Sequence, residues 1–237
     1  MSNTFDDSIL EERIGYKFKD RSLLMRALTH SSYTNEQKIN KVEDYERLEF
    51  LGDAVLELVT SETLFREHPE MKEGQLTKLR ASMVCEQALA YCAKDIKLGD
   101  FIKLGKGEEA SGGRNRESIT SDVMEALIGA MYLDGGMDVA RKHIETFILN
   151  DLEEKVLFVD SKSSLQELIQ GVLHRDFEYE FVGEKGPEHD KTFEVKIVMD
   201  GEEIGRGEGR TKKAAQQAAA YEALVYLRGK GYVFKKY

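Results

Sequence analysis

The hydrophobic period of this chain changes near residue 158, and that change limits the fold more than any other feature. Before it, apolar residues recur at helical spacing and no stretch alternates convincingly with period two. After it, Phe177, Tyr179 and Phe181 fall on one side of a strand, with Glu178 and Glu180 on the other. The alternation returns at Phe193, Val195, Ile197 and Met199, and Asp200-Gly201 then reads as a two-residue hairpin turn into a strand over 202–207. Asp160-Ser161-Lys162-Ser163-Ser164 is polar enough to be a joint. The expected organisation is an all-α domain over 1–158, then a small α+β domain over 159–237 in the order α-β-β-β-α. An antiparallel sheet with both helices on one face would bury the second domain.

Within the first domain, Asp20 is placed to cap a helix carrying Leu23, Leu24, Ala27 and Leu28. A longer helix runs from about 42 to 67 and ends at His68-Pro69, because the residue before a proline is pushed out of the helical region. One segment covers 73–94. The glycine-rich 105–113 reads as a loop, 117–133 as a helix stopped by Asp134-Gly135-Gly136, and 137–155 as the last helix. In the second domain Ser163 or Ser164 is placed to cap a helix over 165–174, and the alanine-rich 212–228 has strong helix propensity. Cys85 and Cys92 are too few for a disulfide framework and read as small core residues. His30, His68 and His143 show no ligand spacing and read as surface or hydrogen-bonded histidines.

Charge narrows the function. The chain has 34 basic and 44 acidic residues, a net charge of −10, which argues against indiscriminate binding to nucleic acid or anionic membrane. Residues 1–159 hold 21 basic and 30 acidic residues, residues 160–237 hold 13 and 14, so a polyanion could be held only where positive charge is locally concentrated. No window approaches eighteen uninterrupted apolar residues, and the acidic N-terminus lacks the regions of a secretory signal. A cytoplasmic, reduced protein with no membrane partner is expected.

The stretch Glu46-Arg47-Leu48-Glu49-Phe50-Leu51-Gly52-Asp53-Ala54-Val55-Leu56-Glu57 carries the most chemistry. At helical spacing Glu46, Glu49, Asp53 and Glu57 share an arc of about 80°, apart from the core face of Leu48, Leu51, Val55 and Leu58. Gly52 inside this helix costs roughly 1 kcal/mol against alanine, which points to another backbone passing close by. Asp122 and Glu125, at i and i+3, share a face of a second helix that is otherwise almost wholly apolar. Buried carboxylates are costly unless paired or bound to a cation. If the two helices cross, Glu49, Asp53, Asp122 and Glu125 form an all-oxygen nest of the kind hard divalent ions take, and such a site hydrolyses phosphodiesters. An ordinary solvated helix face is the other reading of the same spacing. A di-iron bundle would need a Glu-x-x-His motif, which is absent.

Residues 46–56, Glu-Arg-Leu-Glu-Phe-Leu-Gly-Asp-Ala-Val-Leu, resemble the hallmark stretch of the ribonuclease III family. Leu28-Thr29-His30-Ser31-Ser32 upstream and Asp122-Val123-Met124-Glu125-Ala126 downstream match in order, and the resemblance covers almost the whole chain. It implies an endoribonuclease of double-stranded RNA, dependent on Mg²⁺ with Mn²⁺ able to substitute, working as a homodimer through the hallmark helix. Each site would cut one strand and leave 5′-phosphate and 3′-hydroxyl ends with a short 3′ overhang. Ribosomal RNA precursors and structured messages are the substrates it implies. By position Glu49, Asp53, Asp122 and Glu125 match the family's metal-binding carboxylates, with Asp53 and Glu125 the catalytic pair. Glu73 occupies a place where members also keep an acidic residue.

The C-terminal segment resembles the double-stranded RNA-binding domain. Lys212 and Lys213 open the last helix, where backbone N–H groups and the helix dipole already favour anions. An ordinary solvated first turn is the alternative. The resemblance assigns Lys212 and Lys213 to major-groove phosphates, Gln166 and Gln170 to one minor groove, and the loop Gly186-Pro187-Glu188-His189, His189 with it, to a second. Glu188 in that loop has no physical account. Duplex RNA hides its base edges and is read by shape, phosphates and 2′-hydroxyls, which disfavours a DNA nuclease. A non-catalytic double-stranded RNA-binding regulator would keep the lysines but has no need of Asp53 and Glu125.

Overall fold

The computed structural model describes residues 7–37, 43–150, 161–186 and 191–232. The chain divides into two units, Met1–Asn150 and Asp151–Tyr237. The first contains α1 (Asp7–Ile14), α2 (Arg21–Ala27), α3 (Ser31–Gln37), α4 (Glu46–Glu67), α5 (Glu73–Val84) and α6 (Glu86–Asp95). It continues with α7 (Lys106–Ala110), α8 (Glu117–Gly135) and α9 (Met137–Phe147).

The centre of this unit is α8, apolar around most of its surface: Val123, Met124, Ala126, Leu127, Ile128, Ala130 and Met131 are all inaccessible. The inner stripe of α4, formed by Leu48, Val55, Leu56 and Val59, packs into the same core. The two helices touch backbone to backbone. A Cβ on Gly52 would lie 1.8 Å from the Glu125 carbonyl oxygen, and one on Gly129 would lie 2.2 Å from that of Leu48. The close approach expected at Gly52 is therefore real, and a second glycine answers it.

Local signals explain the remaining helices. Asp20 caps α2 through the Ser22 N–H, and His68 ends α4. The 73–94 segment is not one helix. It breaks at Cys85, whose ψ of 158° is extended. On one straight helix Leu79 and Met83 would face about 130° away from the stripe of Ala88, Leu89, Cys92 and Ala93, yet all six are buried. The break turns both sets inward. The expected loop over 105–113 also needs correction, since Lys106–Ala110 is helical. Glu36 supplies what the local sequence lacks. Its carboxylate accepts the N–H groups of Lys106 and Gly107, and those bonds hold it below the usual carboxylate range. Helix α9 ends at Phe147, short of the expected 155, and 151–155 lie outside the described residues.

Asp134 fastens the chain before α2 to the end of α8. Its carboxylate accepts the Tyr16 hydroxyl at 2.5 Å and the N–H groups of Lys19 and Asp20 at 2.9 and 2.8 Å. Alanine at Asp134 would leave those donors unanswered. At about 1.5–3 kcal/mol for a hydrogen bond to a charged group, a loss of roughly 2–3 kcal/mol is expected, lowering Tm by about 5–10 °C. A calorimetric scan checks it. His143 also departs from expectation. It is buried with neither ring nitrogen hydrogen-bonded among the described residues, 4.8 Å from the Phe147 ring, and burial holds its pKa down at about 4. Helix α9 presents it to the core beside Ala140 and Ile144.

The second unit has α10 (Ser161–Gln166), continued by a π-helical segment over Glu167–Val172, then β1 (Phe177–Lys185), β2 (Thr192–Met199), β3 (Glu202–Gly209) and α11 (Lys212–Gly229). Ser163 and Ser164 do not cap. Both lie within the helix, and Ser164 is buried there beside Leu165. The sheet order is β1-β2-β3, both pairs antiparallel. Asp200 and Gly201 both have positive φ, 53° and 81°, as a type I′ hairpin demands. Leu165, Leu168 and Ile169 join Val195, Ile197 and Ala215, Ala219, Ala220 and Ala223 of α11 in one core. A Cβ on Gly207 would meet the Ala219 nitrogen at 2.2 Å, so glycine on β3 and alanine on α11 let helix and sheet approach closely. Among the described residues no helix is long and apolar enough to cross a membrane.

Candidate active site

The α4–α8 crossing sets the candidate site. Because Gly52 sits against the Glu125 carbonyl, Glu49 and Asp53, one turn apart on α4, face the α8 positions of Asp122 and Glu125. The four charges feel one another. Burial, then Asp122, Glu46 and Asp53, push Glu49 up to about 7. Burial, then Asp53, Glu49, Asp122 and Glu57, push Glu125 up to about 8. Burial raises Asp122 too, against the opposing pull of hydrogen bonds from Tyr45 and Ser121 and of the His30 charge. Neighbouring Glu57 has Arg80 at 2.8 Å, whereas none of these four is ion-paired to lysine or arginine among the described residues.

Half-buried Glu49, Asp122 and Glu125 beside exposed Asp53, with no lysine or arginine paired to them among the described residues, are oxygen donors short of a counter-charge, which fits a hard divalent ion. The fit is in the donor set rather than in a finished cage. Among the described residues no three His, Cys, Asp or Glu side chains are already gathered to hold an ion. Glu73, in the first turn of α5, is exposed, accepts the Thr77 hydroxyl at 3.0 Å, and is absent from the charges acting on Glu49, Asp122 and Glu125.

Sequence reasoning overlooked Tyr45. Its side chain is buried and donates to Asp122 Oδ2 at 3.3 Å, and burial together with the Asp122 and Glu49 charges pushes its pKa above the ordinary 10. Nothing local in the sequence links it to a residue 77 positions away. His30 lies 5.7 Å from the Tyr45 ring, and its Nδ1 is 2.7 Å from the Ser32 hydroxyl, so it is hydrogen-bonded as expected.

In the second unit Thr211 caps α11 by accepting the Ala214 N–H, and Lys212 and Lys213 stand exposed in the first turn. Lys212 Nζ lies 5.0 Å over the Phe181 ring, which aims it. Lys162 of α10 reaches Gln216 of α11 at 2.8 Å, placing the start of one helix beside the start of the other. Gln166 and Gln170 are exposed and joined by a 3.1 Å bond, with Gln170 in the π-helical segment. His189 and Glu188 lie outside the described residues.

Known proteins match both units. Residues 20–152 match the model of a ribonuclease-III-like family, and residues 161–227 that of the double-stranded RNA binding motif. The chain is 49% identical over 221 residues to ribonuclease 3 of Caldanaerobacter subterraneus subsp. tengcongensis, covering 92% of this chain and 96% of that protein. It is 48% identical to ribonuclease 3 of Geobacillus kaustophilus, covering 92% and 90%. Among solved structures, it resembles the nuclease domain of ribonuclease III from Campylobacter jejuni at 44% identity and a TM-score of 0.56. That match covers 60% of this chain and 96% of the other.

Proposed function

The chain belongs to the ribonuclease III family and is an endoribonuclease of double-stranded RNA, and from that premise we propose that Glu49, Asp53, Asp122 and Glu125 hold Mg²⁺ at its cutting site. The observation that carries this reading is the crossing that brings four carboxylates together, where burial first and neighbouring carboxylates second raise both Glu49 and Glu125, with no lysine or arginine paired to them among the described residues. A divalent ion bound there would supply an activated water for in-line attack at phosphorus and neutralise the leaving oxygen. The protein's part is to place the ligands. The α4–α8 crossing fixes their spacing, and the surrounding core keeps Glu49, Asp122 and Glu125 half-buried, where each charge acts strongly, with Asp53 exposed beside them. The products would be 5′-phosphate and 3′-hydroxyl ends, and ribosomal RNA precursors and structured messages fit as substrates. Acid protonates Glu125 and Glu49 first, so activity falls as pH drops through about 8 to 7, and added Mg²⁺ moves the fall to lower pH.

A partner copy fits the outer face of α4. Phe50 and Phe65 are 81% and 73% exposed, and Leu58, expected on the core face, is instead 56% exposed; at helical spacing the three share an arc of about 80°. A homodimer built on this stripe would set two sites across one duplex. The nuclease domain of ribonuclease III from Campylobacter jejuni likewise has a region involved in dimer formation.

Duplex recognition falls to Lys212 and Lys213, with Gln166, Gln170 and His189 proposed at the minor grooves. Alanine at both lysines removes two phosphate contacts of about 1.5 kcal/mol each. Binding of a perfect duplex should weaken by roughly 100-fold, and the salt dependence should lose about two phosphate equivalents. Gel shifts across a salt series check both. The function itself is tested with a labelled duplex of a few dozen base pairs. Cutting in Mg²⁺, none in chelator and none of the single strand support it; binding without cutting in Mg²⁺ would leave only the regulator reading.

A further inference from the structure

Tyr45 is placed to couple the two helices that carry the proposed ligands. It stands immediately before α4, and its own carbonyl accepts the Glu49 N–H at 2.9 Å. Its N–H donates to the Thr29 carbonyl at 3.0 Å, which pins the residue to the segment entering α3. Its phenol crosses to α8 and donates to Asp122 Oδ2 at 3.3 Å. One buried residue thus touches the backbone of one candidate ligand and the side chain of another.

The ring is held from behind. His30 lies 5.7 Å from it, His30 Nδ1 is 2.7 Å from Ser32 Oγ, and that hydroxyl also accepts the Gly105 N–H at 2.9 Å. Packing and hydrogen bonds together leave the phenol little freedom. A phenol O–H serves Asp122 only as a donor, so it engages Oδ2 and leaves Oδ1 for other company. Ligating carboxylates are commonly oriented by such outer partners, and losing one typically costs 10–100-fold in metal affinity or activity.

We propose that Tyr45 is a positioning residue that orients Asp122 for divalent-ion binding through its hydroxyl. It touches neither substrate nor ion. The inference rests on Asp122 being a ligand, so its test includes a check of that premise. Cleavage is followed against Mg²⁺ concentration for wild type, Tyr45→Phe and Asp122→Asn, with melting curves for each. Tyr45→Phe removes one oxygen and keeps the ring, so its fold should persist. Its half-saturating Mg²⁺ should rise about tenfold, kcat should recover to within about threefold at saturating Mg²⁺, and KM for the duplex should stay put. A merely structural tyrosine would lower Tm without moving the Mg²⁺ midpoint. A Tyr45→Phe titration superimposed on wild type, or a kcat deficit that Mg²⁺ never restores, overturns the inference. If Asp122→Asn instead keeps the wild-type Mg²⁺ midpoint, the ligand reading itself fails and takes this inference with it.

Discussion

Glutamine at Glu125 abolishes cleavage and leaves duplex binding intact. The substitution keeps size and shape but removes a charge from the centre of the carboxylate cluster. A bound metal ion contributes several kcal/mol of transition-state charge stabilisation, so losing its anchor should cost roughly 10³-fold in kcat or more. Lys212 and Lys213 lie in the other unit and are untouched, so a gel shift with the variant should match wild type. The same variant should be more stable than wild type without metal. Glu125 has a folded-state pKa of about 8 against an ordinary value of about 4.3. Between those values the native protein holds a proton that the unfolded chain has released, so wild-type stability falls as pH rises through the window. Glutamine carries no such penalty. The Tm advantage of the variant should therefore grow from about pH 5 to pH 8.5, and saturating Mg²⁺ should shrink it by stabilising wild type. Equal melting of both proteins at pH 8.5 would contradict the cluster's electrostatics.

Alanine at Gly52 should do more damage to the fold than any single change to the site's charges. Its Cβ would sit 1.8 Å from the Glu125 carbonyl oxygen and 3.0 Å from the Gly129 nitrogen, both backbone atoms that cannot swing aside. Alanine's better helix propensity returns only about 1 kcal/mol. Forcing the helices apart costs typically 1–3 kcal/mol and occasionally more, and at a backbone contact this close the upper end applies. A net loss of roughly 2 kcal/mol or more is expected, with the carboxylates on α4 displaced from those on α8. Activity should fall with stability, and raising Mg²⁺ should not restore it, because the ligands are separated rather than weakened. Circular dichroism melts paired with Mg²⁺-dependent cleavage test both halves.

Much of this arrangement is legible in the residues. The glycine inside an otherwise strong helix announces the crossing, and acidic residues on an apolar helix announce the site. Period-two alternation with Asp200-Gly201 announces the hairpin. What escapes are features decided by distant partners. The α7 turn forms because Glu36 caps it from another helix. The break at Cys85 exists because two apolar stripes must both turn inward. His143 is buried by the company of α9, although its type favours a polar setting. Tyr45 meets Asp122 only in three dimensions, as the first and second halves of the unit fold together.

The central claim is that Glu49, Asp53, Asp122 and Glu125 act as one cation site. A calorimetric Mn²⁺ titration near pH 7, repeated in buffers of different ionisation enthalpy, tests it most directly on wild type and on Glu49→Gln, Asp53→Asn, Asp122→Asn and Glu125→Gln. The account predicts binding by wild type with release of protons, since Glu49 and Glu125 are partly protonated at that pH. Each variant should bind more weakly, and Glu125→Gln should release fewer protons. Four variants that bind Mn²⁺ as wild type does, with the same proton release, would contradict it.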